Sequence, residues 1–210
     1  MSNLRIWGRM SSLNVRKVVW CAQELALDFQ RTEAGGQFGV VKTPEYEALN
    51  PNALVPVIQD GDYVLWESNV IVRYLCAKHS LGTLYPTELP ARFDAERWMD
   101  WQQTSLNPAG RDGFIQWVRT APAQRDAATY LQSVAATEPL LAMLDAHLAQ
   151  QPFMVGDSFT MADIPIACEI HRWRALPLSD TAPATPHLDR WYQVVSGRPT
   201  ALGVLDQPLT

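Results

Sequence analysis

Long apolar runs are missing from this 210-residue chain. No stretch approaches the ~20 residues that a bilayer-spanning helix needs, so no membrane association is expected. Positive charge is also in short supply. Seventeen Lys and Arg stand against 22 Asp and Glu, a formal charge of −5, whereas a general nucleic-acid binder carries a basic face. Cysteine is scarce: Cys21, Cys76 and Cys168 lie far apart in sequence and form no CxxC pair. The opening MSNLRIWGRMSSLNVRK has no apolar core segment and does not read as a signal peptide. Together these features fit a reducing cytoplasm with three core thiols. His79, His147, His171 and His187 never cluster with cysteine or acid, so no metal site is expected. A disorder signature is absent as well, since 47% of the residues are hydrophobic. The length allows one large domain or two small ones.

The most informative stretch is 53–70, ALVPVIQDGDYVLWESNV. Val55-Pro56 sets a proline at the entrance of an apolar strand, Val55 to Ile58, a reasonable place for a cis peptide that turns the Val55 N–H and C=O outward. Asp60-Gly61-Asp62 marks a hairpin turn, with Tyr63 to Trp66 as the return strand. Ser68 then opens a helix. Free N–H groups and the macrodipole there favour a carboxylate, and the neighbouring Glu67 can hold an ammonium group. An outward strand edge beside an anion site and a cation site suits an extended, amino-acid-like ligand.

Around this stretch the first eighty residues alternate strand and helix signals. Leu4, Ile6 and Trp7 begin a strand that Gly8 breaks. Val15, Val18, Val19, Ala22 and Leu25 follow helical spacing. Asp28 to Thr32 reads as a second strand, and a glycine-rich loop at 35–39 leads to a short helix over Pro44 to Leu49. A βαβ half followed by a ββα half predicts a small mixed sheet with helices on its faces. The proline-containing segment 81–90 reads as a linker between domains over 1–80 and 91–210. Beyond it only helical patterns appear. Ala91 to Trp117 is tryptophan-rich and should be interrupted near Asn107-Pro108. Val134, Leu141, Leu144 and Leu148 form a stripe in which Pro139 implies a kink or a late start. Thr160 to Asp163 reads as a capping box, with Thr160 accepting from the Asp163 N–H, the Asp163 carboxylate accepting from the Thr160 N–H, and Phe159 and Ile164 as its apolar staple. Pro165 just behind it implies a local distortion. Pro186 to Val195 makes a last helix, stopped by Gly197-Arg198-Pro199.

Ser11-Ser12-Leu13-Asn14 stands directly before the first helix. Hydroxyl and amide groups at a helix N-terminus suit the stabilisation of a thiolate, the nucleophilic form of a thiol; equally, they suit simple capping.

The order of Ser12-x-Asn14, Val55-Pro56, hairpin and Glu67-Ser68 resembles the cytosolic glutathione S-transferase family, in its bacterial serine/asparagine-type, theta- or nu-like members. Pro44-Glu45-Tyr46 through Asn50-Pro51-Asn52, Phe159 to Ile164, and Leu188 to Pro199 extend the likeness over nearly the whole chain. The resemblance implies an α/β thioredoxin-like N-terminal domain plus an all-α C-terminal domain. It implies glutathione as co-substrate, held without a covalent bond and without a metal. Ser12, aided by Asn14, would stabilise its thiolate. Val55 beside a cis Pro56 would pair with its cysteinyl part, and Glu67 and Ser68 would take the γ-glutamyl amine and carboxylate. Trp7 occupies the region of the catalytic phenol in tyrosine-type members, and no cysteine falls in the 11–15 turn, so neither of those mechanisms is implied. Leu54 replaces the basic residue that often precedes the Val-Pro pair, leaving the glycine carboxylate to Gln37 or Lys42, or to water.

A small hydrophobic electrophile would meet the second domain at Trp101, Arg111, Phe114 and Trp117, with Trp173 an outside choice. Aromatic residues at helical spacing also suit a core, and Arg111 paired with Asp112 or Asp100 on the surface is the simpler account of that charge. A symmetric homodimer is implied, across the helix after Glu67 and the first long helix of the second domain, with Asp100 reaching the neighbour's glutathione amine. Conjugation in detoxification is the expected activity. Peroxidase or disulfide-reductase chemistry is the variant, and a non-enzymatic regulatory module the rival.

Overall fold

The computed structural model describes residues 4–177 and 182–209, in two compact units. The first takes in the chain through Thr87 together with Pro199–Gln207. Its strands are β1 (Leu4–Trp7), β2 (Phe29–Thr32), β3 (Val57–Asp60) and β4 (Tyr63–Trp66). Its helices are α1 (Leu13–Glu24), the single turn α2 (Pro44–Glu47) and α3 (Ser68–His79). The sheet order is β2-β1-β3-β4, with β1 parallel to β2 and antiparallel to β3, and β4 antiparallel to β3. This is the small mixed sheet that the alternating signals predict, in the thioredoxin-like arrangement that the family resemblance implies.

Strand periodicity divides the residues between the two faces of the sheet. Ile6 pairs with Ile58, and both are fully buried. One residue on, Trp7 pairs with Val57 on the other face, in a cluster with Tyr46 of α2, whose ring meets Trp7 edge-on at 5.9 Å. Strand β3 starts two residues later than the apolar pattern suggests, because Val55 and Pro56 stay outside the ladder. The β3–β4 hairpin turns on Gly61, whose φ of 63° is the left-handed conformation such a tight turn demands. Helices α1 and α3 pack side by side. Residues of 199–207 fasten to the end of α1, where Gln23 donates to the Leu202 carbonyl at 3.1 Å and Thr200 bonds to Glu24.

The second unit, within Glu88–Arg198, is helical: α4 (Leu89–Trp101), α5 (Asn107–Phe114), α6 (Ala127–Leu148), α7 (Asp163–Arg174) and α8 (Pro186–Ser196). The expected interruption at Asn107-Pro108 does not occur. The backbone widens instead into a π-helical turn over Gln102–Leu106 and continues as α5, with a second such turn over Ile115–Arg119. A wider turn just before Pro108 accommodates the ring and the missing N–H without ending the helix. Nor does Pro139 delay α6, which starts at Ala127, capped by Asp126 accepting from the Ala128 N–H at 2.9 Å, and runs through the proline. Its Val134, Leu141, Leu144 and Leu148 are buried, as the stripe predicts.

Asp163 departs from a simple capping box. Its carboxylate does accept from the Thr160 N–H at 2.8 Å, but the Thr160 hydroxyl accepts from Ala162 at 3.3 Å and not from Asp163. The carboxylate also takes the Met154 N–H at 3.0 Å and the Trp191 indole N–H at 2.8 Å. Burial pushes its pKa up, while these donors pull the other way. Pro165 does not break α7, which begins at Asp163; the proline falls in the first turn, where a backbone N–H would have no intrahelical partner to lose.

Candidate active site

The turn between β1 and α1 is drawn tight from both ends. Gly8, at φ 149°, has no room for a side chain: a Cβ there would lie 2.3 Å from Val15 Cγ2 and 3.3 Å from Val55 Cβ. The turn closes when the Ser12 N–H donates to the Arg9 carbonyl at 3.1 Å. Arg16, buried on α1, donates from Nε to the Met10 carbonyl at 2.8 Å and fastens the turn to the helix. Ser12 is thereby held at the N-cap of α1, in extended conformation (φ −87°, ψ 121°), and its side chain makes no capping hydrogen bond. The hydroxyl is not consumed by the helix. Asn14, two residues on, keeps its Oδ1 buried with no hydrogen-bond partner. Buried polar atoms are nearly always satisfied, so this acceptor is an exception that calls for a donor.

Val55 stands beside this turn, in contact range of the Gly8 and Gly35 Cβ positions, and the Val55–Pro56 peptide is cis. The segment is aimed by a pair of donors that sequence reasoning did not assign: the Tyr46 hydroxyl and the Asn50 amide both donate to the Leu54 carbonyl at 2.9 Å. Asn50 Oδ1 in turn accepts from the Asn52 N–H at 3.0 Å. Burial pushes the Tyr46 phenol up from 10.0 to about 12. Only the Pro44-to-Asn52 likeness pointed toward these two.

Glu67 and Ser68 fall at the start of α3 as expected. Glu67 is the N-cap, exposed, with a positive φ of 73° and no side-chain cap bond, and Ser68 is buried in the first helical position. Strained backbone of this kind gathers at ligand-holding positions. Gln37 sits exposed in a 3₁₀ turn (Gly36–Phe38), and Lys42 is exposed at the loop's far end. Arg9 was also missed by sequence reasoning. Its guanidinium lies against Gly35 and Gly36, where a Cβ would come within 2.9 Å of it, and its Nε donates to Ser11 Oγ at 3.0 Å. One side chain thus links the loop carrying Gln37 to the turn carrying Ser12.

In the second unit, Asp100 is exposed on α4, and Trp101 meets Trp98 edge-on at 5.2 Å. Arg111 is exposed. Phe114 is buried, with the guanidinium groups of Arg119 and Arg172 at 4.9 Å and 5.4 Å from its ring centroid. Trp117, 37% exposed, carries Arg125 over its ring at 4.1 Å. Trp173 is buried. Among the described residues no group of three His, Cys, Asp or Glu side chains could hold a metal ion, and no helix is long and apolar enough to cross a membrane.

A thioredoxin-like unit with a hydroxyl at the first helix N-cap and a cis Val-Pro beside it, followed by a helical unit, defines a class of glutathione-using proteins. Family models for the glutathione S-transferase N-terminal domain and C-terminal domain match residues 11–78 and 104–199. The chain is 39% identical to glutathione S-transferase GstB of Escherichia coli, over 99% of this chain and 100% of that protein. It is 32% identical to glutathione S-transferase 3 of Zea mays, over 95% and 91%. Among solved structures, the theta class glutathione S-transferase from Xanthomonas axonopodis pv. citri with glutathione bound superposes with a TM-score of 0.95, at 44% identity and full coverage of both chains. The chain belongs to the glutathione S-transferase family.

Proposed function

We propose that this glutathione S-transferase activates its co-substrate with Ser12 and conjugates it to a hydrophobic electrophile. The observation that carries the mechanism is the Ser12 hydroxyl at the N-cap of α1, which makes no capping hydrogen bond. Glutathione lies extended along Val55, with its γ-glutamyl amine on Glu67 and its γ-glutamyl carboxylate on Ser68 and the first N–H groups of α3. Gln37 or Lys42, or water alone, serves the glycine carboxylate. The thiolate sulfur accepts a hydrogen bond from Ser12 Oγ, and the α1 dipole adds to its stability. Each unit by which the thiol pKa falls corresponds to ~1.4 kcal/mol of preference for the thiolate. The sulfur then attacks an electrophilic carbon, and the leaving group departs with the bonding pair.

Trp101, Arg111 and Trp117, backed by the buried Phe114, offer the electrophile apolar surface and a positive charge. The protein acts as a homodimer in the cytoplasm, with Asp100 of each chain serving the neighbour's glutathione amine, and its task is detoxification.

The test is the ultraviolet difference spectrum of glutathione added to the protein, followed across pH. A thiolate band well below the ~8.5 of an ordinary cysteine thiol supports activation. Bound but protonated glutathione overturns the Ser12 mechanism, and no binding at all overturns the glutathione site.

A further inference from the structure

The proposed mechanism leaves two cysteines unused. Cys21 lies in the third turn of α1 and Cys76 in the third turn of α3, and the packing of these helices brings their sulfurs to 3.5 Å across 55 residues of sequence. Both side chains are 0% exposed. Cys21 Sγ also lies 3.9 Å from the Val72 carbonyl. Cys168, also buried, belongs to the second unit. A disulfide requires about 2.05 Å between sulfurs, so the pair stands roughly 1.5 Å from bonding distance, with each thiol already the other's neighbour.

We propose that Cys21 and Cys76 form a modification site, oxidised by a small hydroperoxide to an intramolecular disulfide that ties α1 to α3. In the first step one sulfur attacks a peroxide oxygen and the O–O bond breaks. The sulfur becomes a sulfenic acid, and with hydrogen peroxide the leaving oxygen departs as water after taking the thiol proton. In the second step the other thiol attacks that sulfur, the S–O bond breaks and a second water leaves. Two thiols and one peroxide give one disulfide and two waters, the two electrons coming from the sulfur pair. A resolving thiol in contact stops the oxidation at the disulfide. The hydrogen bond to Cys76, with burial behind it, pushes the Cys21 thiol up, so reaction follows separation of the two helices and is slow. Once formed, the bond cross-links the helices whose N-terminal ends carry Ser12 and Ser68.

The experiment treats the full-length protein with hydrogen peroxide for hours, so that helix opening is sampled, then alkylates remaining thiols in denaturant. The expected result is loss of two of the three thiols, a mass before alkylation lower by about 2 Da, and a Cys21–Cys76-linked peptide in a non-reduced digest. Dithiothreitol restores all three thiols, and the oxidised form unfolds at a higher temperature than the reduced form. The Cys168→Ser chain behaves the same, whereas Cys76→Ser yields no linked peptide. Three intact thiols in the wild-type chain overturn the proposal; so does thiol loss as sulfinic acid or as bridges between chains. Because the wild-type digest is decisive alone, a poorly folding variant does not blunt the test.

Discussion

Ser12 and Asn14 separate at the level of single atoms. A hydroxyl donating to a charged sulfur contributes about 1.5–3 kcal/mol, so Ser12→Ala should lower kcat roughly 10- to 100-fold while leaving glutathione affinity nearly intact. Steady-state kinetics and a binding titration check this, and an unchanged kcat would transfer the role to Asn14. Tyr46 gives a prediction in pH. Its folded phenol holds a proton up to about 12 against an ordinary 10.0, so between those values the unfolded chain binds fewer protons than the native one. Stability should therefore be fully present below about 10 and fall as pH rises toward 12. Urea unfolding between pH 9 and 12 should show this slope, and Tyr46→Phe should flatten it while lowering stability by about 1 kcal/mol through the lost bond to Leu54. The two residues differ in how far sequence exposes them. The place of Ser12 at a helix N-terminus is legible because helix N-terminal patterns are local. Tyr46, Asn50 and Arg9 act through tertiary hydrogen bonds and close approach, which no spacing rule records.

Elements were legible wherever one local rule governed them. The β3–β4 hairpin follows from its aspartate–glycine turn, and α1 and α3 from apolar spacing behind polar caps. Three prolines were harder to place, Pro108 and Pro165 as breaks and Pro139 as a late start, because their effect depends on where the helix starts. Pro165 is harmless in a first turn, Pro139 lies deep in a helix capped at Asp126, and Pro108 is absorbed by a π turn. The Thr160–Asp163 cap was visible as a pattern, but its larger task was not. Asp163 joins the Met154 segment, the start of α7 and Trp191 of α8 through one fully buried carboxylate. Asp163→Asn keeps the shape but turns an amide donor toward groups that are themselves donors. Unsatisfied buried groups cost about 1–3 kcal/mol each, so this variant should lose roughly 3 kcal/mol of stability in denaturant unfolding. A loss under about 0.5 kcal/mol, the size of an ordinary surface substitution, would mean that the donors find other partners.

At the scale of the whole molecule the open question is assembly, and the exposed apolar side chains bear on it. Single exposed hydrophobics are normal on any surface. Here Val70 on α3 is 42% exposed, and Leu89 and Phe93, one turn apart on α4, are 59% and 62% exposed. These are the two helices across which the family likeness implies a homodimer. Burying a Phe or Leu side chain yields ~1.5–3 kcal/mol, so three such residues, doubled by two-fold symmetry, are a sizeable share of a stable interface. Phe93→Glu places a charge there twice over, on chains that already carry a formal −5 each. Sedimentation should find the wild type at twice the chain mass and the variant at 23.6 kDa. If Asp100 serves the neighbour's glutathione, the monomer should also bind glutathione more weakly while Ser12 still lowers the thiol pKa of what does bind. A Phe93→Glu chain that remains a dimer would move the interface away from α4, and a monomer with undiminished glutathione affinity would confine the binding site to one chain.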